Sequence, residues 1–95
     1  MTVPASQLRS THDVTETVRA VLADVLALKP GIAAAMTRDT PLFGALPELD
    51  SMAVAGLLTE LEDRLGIIID DDDVDGELFA TFGSLADFAA AKVAA

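Results

Sequence analysis

A chain of 95 residues with 16 acidic and 6 basic side chains carries a formal charge of −10, and its 52% hydrophobic content is too high for a disordered acidic tail, so one small domain with a modest core is expected. The absence of Cys excludes disulfides, thiolate chemistry and cysteine-based metal sites, and a lone histidine, His12, leaves any Ser-His-Asp arrangement to be built around it. The charge, with no Trp or Tyr and four Phe, argues against a nucleic-acid surface, because phosphate contacts need Lys or Arg and base stacking needs aromatics.

Residues 1–9 read as a flexible N-terminal extension, with Pro4 and no periodicity, and residues 10–95 as a single domain. The opening MTVPASQLRS lacks an apolar run of signal-peptide length, and nothing approaches the run of about 20 residues that a membrane span requires. A soluble, cytoplasmic monomer is expected. A first helix should run from Thr11 to Leu28, capped by Ser10 or Thr11 with Asp13 three residues after Ser10. Val14, Val18, Val21, Leu22, Val25 and Leu28 form its apolar stripe, and Lys29-Pro30-Gly31 stops it. Residues 30–50 form a long connection, in which Pro41, Gly44 and Pro47 forbid one continuous helix. Ile32, Met36, Leu42, Phe43 and Leu46 imply that this connection packs onto the helices.

A second helix is predicted from Ser51 to Leu65, with a stripe of Val54, Leu58, Leu61 and Leu65 flanked by Leu57 and Met52, and Gly66 as its stop. Gly56 inside it costs about 1 kcal/mol relative to Ala, which suggests close approach of another backbone. Ile67-Ile68-Ile69 reads as an extended loop burying one or two Ile, and Asp70 to Glu77 as an acidic turn. Leu78 to Phe82 can make one short helical turn. Ser84-Leu85-Ala86-Asp87 begins a last helix to Ala94, with Leu85, Phe88, Ala89 and Val93 as its stripe. The fold class is therefore all-α: a small four-helix bundle of three main helices plus a short third helix, with a long loop between the first and second.

The charge is segregated. Residues 1–47 balance four acids against four bases, and residues 78–95 pair Asp87 with Lys92. Residues 48–77 hold eleven acids and only Arg64, so this block carries the whole net charge of −10 and should steer the protein toward basic partners. Four consecutive carboxylates, Asp70 to Asp73, should repel one another. Asp71, Asp73, Asp75 and Gly76 match the first half of an EF-hand loop, but its twelfth position, which needs a bidentate Glu, is Phe82.

Leu49-Asp50-Ser51-Met52 opens the second helix. Alone, Asp-Ser at a helix start is a cap that stabilises by about 1 kcal/mol. Here it is followed by Val54 through Leu58, Leu61-Glu62, Ile69-Asp70 and the acids beyond. In that order and spacing, over about residues 11–94, the chain resembles acyl carrier proteins, the small acidic helical bundles that carry a 4′-phosphopantetheine arm on a serine. The resemblance implies a carrier domain, not an enzyme, with a covalent 4′-phosphopantetheine on Ser51, Asp50 as adjacent support, and no catalytic or metal site of its own. It implies a role in lipid biosynthesis, acyl intermediates held as thioesters, and a set of partners. These are a phosphopantetheinyl transferase, an acyl-loading ligase or transferase, and acyl-consuming enzymes with basic surfaces. Carriers of fatty acid synthesis usually have Leu and then an acid after the serine, and a further acid nearby; Met52, Ala53 and Gly56 stand there. LFGALPELDSMAV, with IDDDDVDG and FATFGSL, looks more like specialised stand-alone bacterial carriers, such as those of exosortase gene clusters, whose arm an adenylating ligase loads. The alternative is a small calcium- or protein-binding helical module using the Asp70–Asp75 turn, with Ser51 as a plain cap. A small regulatory bundle with neither group is a third reading.

Overall fold

The computed structural model describes residues 11–94; the expected 1–9 extension and the Ser10 cap lie outside them. The order is α1 (Thr11–Val25), α2 (Ser51–Leu65), a single 3-10 turn (Asp71–Asp73) and α3 (Phe82–Ala94). Among the described residues the only β pairing is an isolated antiparallel bridge between Pro41 and Thr81. The segment before α3 makes successive i→i−3 turns, Leu78 N–H to Asp75 O and Ala80 N–H to Glu77 O, rather than a separate helix.

α1 is the shared packing partner: α2 and α3 each lie along it and touch one another little. Val14, Val18, Val21 and Leu22 bury its inward stripe, as their 3.6-residue spacing requires. On α2 the fully buried residues are Leu57 and Leu61, with Leu65 close behind. Val54 and Leu58 are half-buried, so the stripe is centred one residue from its expected position. Phe82, Leu85, Ala86 and Ala89 are the buried residues of α3.

Three boundaries or contacts differ from expectation. α1 ends at Val25 rather than Leu28, because Ala27 takes the left-handed conformation (φ 51°) and the Leu28 N–H reaches back to Ala23 O at 3.0 Å. This is a Schellman-type stop without glycine, and it turns Leu26 into the core. α3 begins at Phe82, before Ser84, because Thr81 is its cap. The Ser84 N–H donates to Thr81 Oγ1 (3.0 Å) while the Thr81 N–H donates to Ser84 Oγ (3.1 Å), a reciprocal box with serine in the third position. Gly56 meets a side chain and not a backbone: a Cβ there would lie 3.3 Å from Val25 Cγ1 on α1.

The long connection is stitched to the start of α3. Phe82 N–H donates to Thr40 O (2.8 Å) and Gly83 N–H to Arg38 O (2.9 Å), which satisfies two donors that a helix start leaves open. Leu42 N–H and Phe43 N–H donate in return to Ala80 O and Phe79 O. Met36, Leu42 and Leu49 are buried as expected of an ordered loop, but Ile32 and Phe43 are exposed. Arg19 ties the same connection to α1, donating to Ala33 O and Met36 O while its guanidinium lies 4.8 Å from the centre of the Phe82 ring.

Candidate functional site

Ser51 is the first residue of α2, directly after the N-cap Asp50. Asp50 is extended (φ −109°, ψ −176°), and its carboxylate accepts the Ala53 N–H at 2.8 Å. Its carbonyl takes the Val54 N–H at 3.0 Å. The capping function therefore belongs to Asp50, and the reading of Ser51 as a plain cap is corrected. Ser51 is exposed, and its hydroxyl has no hydrogen-bond partner among the described residues. The N–H groups of Ser51 and Met52 are likewise unpartnered there, so two orphan donors and the positive end of the helix dipole surround the hydroxyl.

The other described serine shows the contrast. Ser84 is half-buried, and its hydroxyl donates toward Leu78 O (3.0 Å) and Thr81 O (2.8 Å) while accepting the Thr81 N–H. It is fully engaged in starting α3 and offers no free oxygen. Beside Ser51, Met52 is 85% exposed, and the first turn of α2 contains no acid. The outward positions Met52, Ala55, Thr59 and Asp63 are all exposed, so the solvent face of α2 stays uncharged until Asp63. The exposure of Met52 has no signal in the sequence, where it reads as an edge residue of the stripe.

Within the acidic block the carboxylates have different fates. Glu60 and Asp24 share Arg64, at 2.9 Å and 2.7 Å, which ties α2 to α1. The Glu62 carboxylate accepts the Ile69 N–H at 2.9 Å. Asp75 Oδ1 accepts the N–H groups of Glu77 and Leu78. Asp73 meets Lys92 of α3 at 2.6 Å and accepts the Asp70 N–H at 2.9 Å. The hydrogen bond from the Lys92 ammonium, joined by that N–H, holds the Asp73 carboxyl below the usual carboxylate range, and Asp73 pushes Lys92 above the usual lysine value. Among the described residues no three His, Asp or Glu side chains converge on a metal position. Of the described Lys and Arg side chains, only Lys29 lacks an ion-pair partner.

The four consecutive aspartates are thus not equivalent. Asp73→Asn should lower the melting temperature, whereas Asp71→Asn and Asp72→Asn, which remove exposed and unpaired charge, should raise it at low salt. Because the folded pKa of Asp73 lies below its unfolded value, its stabilisation is present above the unfolded pKa and fades as the pH falls through the folded one. Thermal melts of wild type and Asp73→Asn across acidic pH check this: the gap should close on acidification. A constant gap would contradict the Lys92 contact.

The comparisons with known proteins agree with this architecture. A family model for the phosphopantetheine attachment site matches residues 16–90, which defines the chain as a phosphopantetheine-binding domain. The solution NMR structure of a holo acyl carrier protein from Nitrosomonas europaea superposes with a TM-score of 0.79 at 41% sequence identity, covering 85% of this chain and 96% of that one. No curated protein sequence matches the chain. The chain belongs to the acyl carrier protein family: it is a carrier rather than an enzyme, and its cofactor is a covalently attached 4′-phosphopantetheine. The residues present suit such a group, since a phosphodiester on an exposed hydroxyl at a helix start would face the free Ser51 and Met52 N–H groups. No described helix is long and apolar enough to cross a membrane.

Proposed function

We propose that Ser51 is the attachment residue, and that the chain holds acyl intermediates on the arm and presents them to partner enzymes. The observation that carries this reading is the exposed hydroxyl at the first residue of α2, which has no hydrogen-bond partner among the described residues. In the loading step Ser51 Oγ attacks the pantetheine-side phosphorus of coenzyme A. The new phosphodiester bond forms as the diphosphate bond breaks, adenosine 3′,5′-bisphosphate leaves, and the serine proton passes to a base of the transferase. When bound, the arm supplies a terminal thiol on which acyl groups are held as thioesters. Asp50 supports the site by capping α2, which holds Ser51 at the helix start with its own side chain unengaged.

Residues 10–95 form the carrier domain in this reading, acting as a cytoplasmic monomer. Its partners are a phosphopantetheinyl transferase, an acyl-loading ligase or transferase, and acyl-consuming enzymes. The acidic block steers them through their basic surfaces, an effect felt mainly in association rate and salt dependence. The uncharged first turn of α2 supports a specialised pathway over housekeeping fatty acid synthesis, whose carriers place acids there.

Incubation with coenzyme A and several phosphopantetheinyl transferases, followed by intact-mass measurement, tests the reading. Wild type should gain one phosphopantetheine group. Ser51→Ala should gain none while keeping the wild-type melting temperature, because the cap is Asp50. A wild type left unmodified by every transferase, or a modified Ser51→Ala, would count against it.

A further inference from the structure

Beside Ser51 stands a sulfur that the fold does not use. Met52 is 85% exposed, whereas Met36 is 5% exposed in the core. Met1, the third methionine, lies outside the described residues. The chain has no Cys, so methionine thioethers are its only sulfurs before the arm is attached. Of the two that are described, a peroxide reaches that of Met52 directly and that of Met36 only through an opening of the core. The helix sets what lies near this sulfur. Met52 is the second residue of α2. A long helical side chain leans toward the N-terminus, over the turn that precedes its own Cα, and here that direction is toward Ser51. A partner reaching for the Ser51 hydroxyl therefore meets Met52, with no acid in the first turn beside it.

We propose that Met52 is a site of reversible oxidation, and that its sulfoxide slows attachment of the arm to Ser51. This rests on the reading of Ser51 as the attachment residue. The oxidant is hydrogen peroxide. The thioether sulfur attacks one peroxide oxygen, and the O–O bond breaks as the S–O bond forms. Hydroxide leaves and takes the proton of the transferred oxygen, giving water; the sulfur is oxidised by two electrons and the peroxide reduced. A methionine sulfoxide reductase, drawing two electrons and two protons from thiols, returns the thioether and releases water. Oxidation turns a flexible apolar side chain into a polar one. At 85% exposure Met52 has little burial to lose, so the change falls on the surface offered beside Ser51 and not on the core. The sulfoxide oxygen also brings a strong acceptor to the start of α2. There the N–H groups of Ser51 and Met52 have no partner among the described residues, and it competes for the donors that suit the incoming phosphate.

The test takes the full chain without its arm, treated with hydrogen peroxide or left untreated, and follows loading from coenzyme A by a phosphopantetheinyl transferase. Tryptic mapping locates the added oxygen, because the peptide of residues 39–64 contains Met52 as its one methionine and Met36 falls in another. Residues 39–64 should gain one oxygen well before the Met36 peptide does. The kcat/KM of loading should then fall about tenfold, the scale of one apolar side chain's contact, with the melting temperature unchanged. Methionine sulfoxide reductase with dithiothreitol should restore it. Met52→Leu should load at one rate before and after peroxide, and Met52→Gln, polar without oxidation, should load slowly from the outset. Oxidation of Met36 at the pace of Met52, an unchanged loading rate once Met52 carries oxygen, or a peroxide effect that persists in Met52→Leu would overturn the proposal. All three leave the untreated wild type loaded, whereas the attachment reading fails only if that protein is not loaded or if Ser51→Ala is.

Discussion

Replacing Phe82 with alanine should bring the protein close to unfolding at room temperature, with a loss of about 3–5 kcal/mol. Phe82 is the largest fully buried side chain, 1% exposed, and it opens α3 against α1 and the long connection. Its ring is also the platform for the Arg19 guanidinium, which in turn holds the carbonyls of Ala33 and Met36. Truncation therefore leaves a cavity and frees the clamp on the connection together. Against a total stability of about 5–15 kcal/mol for a small domain, the loss is a large fraction. Urea unfolding followed by circular dichroism measures it, and Phe82→Leu, which keeps most of the volume, should cost less than about 1.5 kcal/mol. A Phe82→Ala protein within about 1 kcal/mol of wild type would show that the ring does not hold α3 and the connection together.

Gly83→Ala should be nearly as damaging for the opposite reason. A Cβ at Gly83 would stand 2.8 Å from Arg38 O and 3.2 Å from Arg38 Cα, both backbone atoms that cannot rotate away. Relief requires the connection to retreat from α3, which breaks the Gly83 N–H to Arg38 O hydrogen bond and strains its neighbour from Phe82 to Thr40. The expected cost is about 2–4 kcal/mol, overpacking plus a lost hydrogen bond. In a domain of this size that lowers the melting temperature by roughly 8 °C or more. Gly76→Ala is the control, because a Cβ there meets nothing and its φ is ordinary, so its melting temperature should match or slightly exceed that of wild type. Equal melting temperatures for Gly83→Ala and Gly76→Ala would contradict the close contact.

These two residues mark the boundary between what sequence pattern reveals and what it conceals. The limits of α2 are legible because both stops are local: Asp50 bonds to the N–H of Ala53, three residues on, and Gly66 is left-handed. The end of α1 is not, because Ala27 adopts a conformation that its side chain disfavours and no glycine announces it. Gly83 reads as an ordinary residue ahead of Ser84; its need arises from Arg38, brought beside it by the fold. The same holds for the Arg38–Asp87 pair, 49 residues apart in sequence, and for Lys92 with Asp73. In the candidate site, the position of Ser51 at a helix start follows from Asp50-Ser51 and the apolar spacing behind it. That its hydroxyl is free, that Asp50 does the capping and that Met52 stands in solvent are facts of three-dimensional neighbours, which spacing alone does not determine.

Fragment mapping identifies the attachment residue. After loading from coenzyme A, tryptic cleavage at Arg38 and Arg64 releases a peptide of residues 39–64, whose hydroxyl side chains are Thr40, Ser51 and Thr59. Thr40 and Thr59 are already engaged, Thr40 with Thr37 and Thr59 with the Ala55 carbonyl at 3.0 Å. Tandem mass spectrometry of that peptide should place the phosphopantetheine on Ser51 alone. Its appearance on either threonine, or on a peptide that lacks Ser51, would contradict the account.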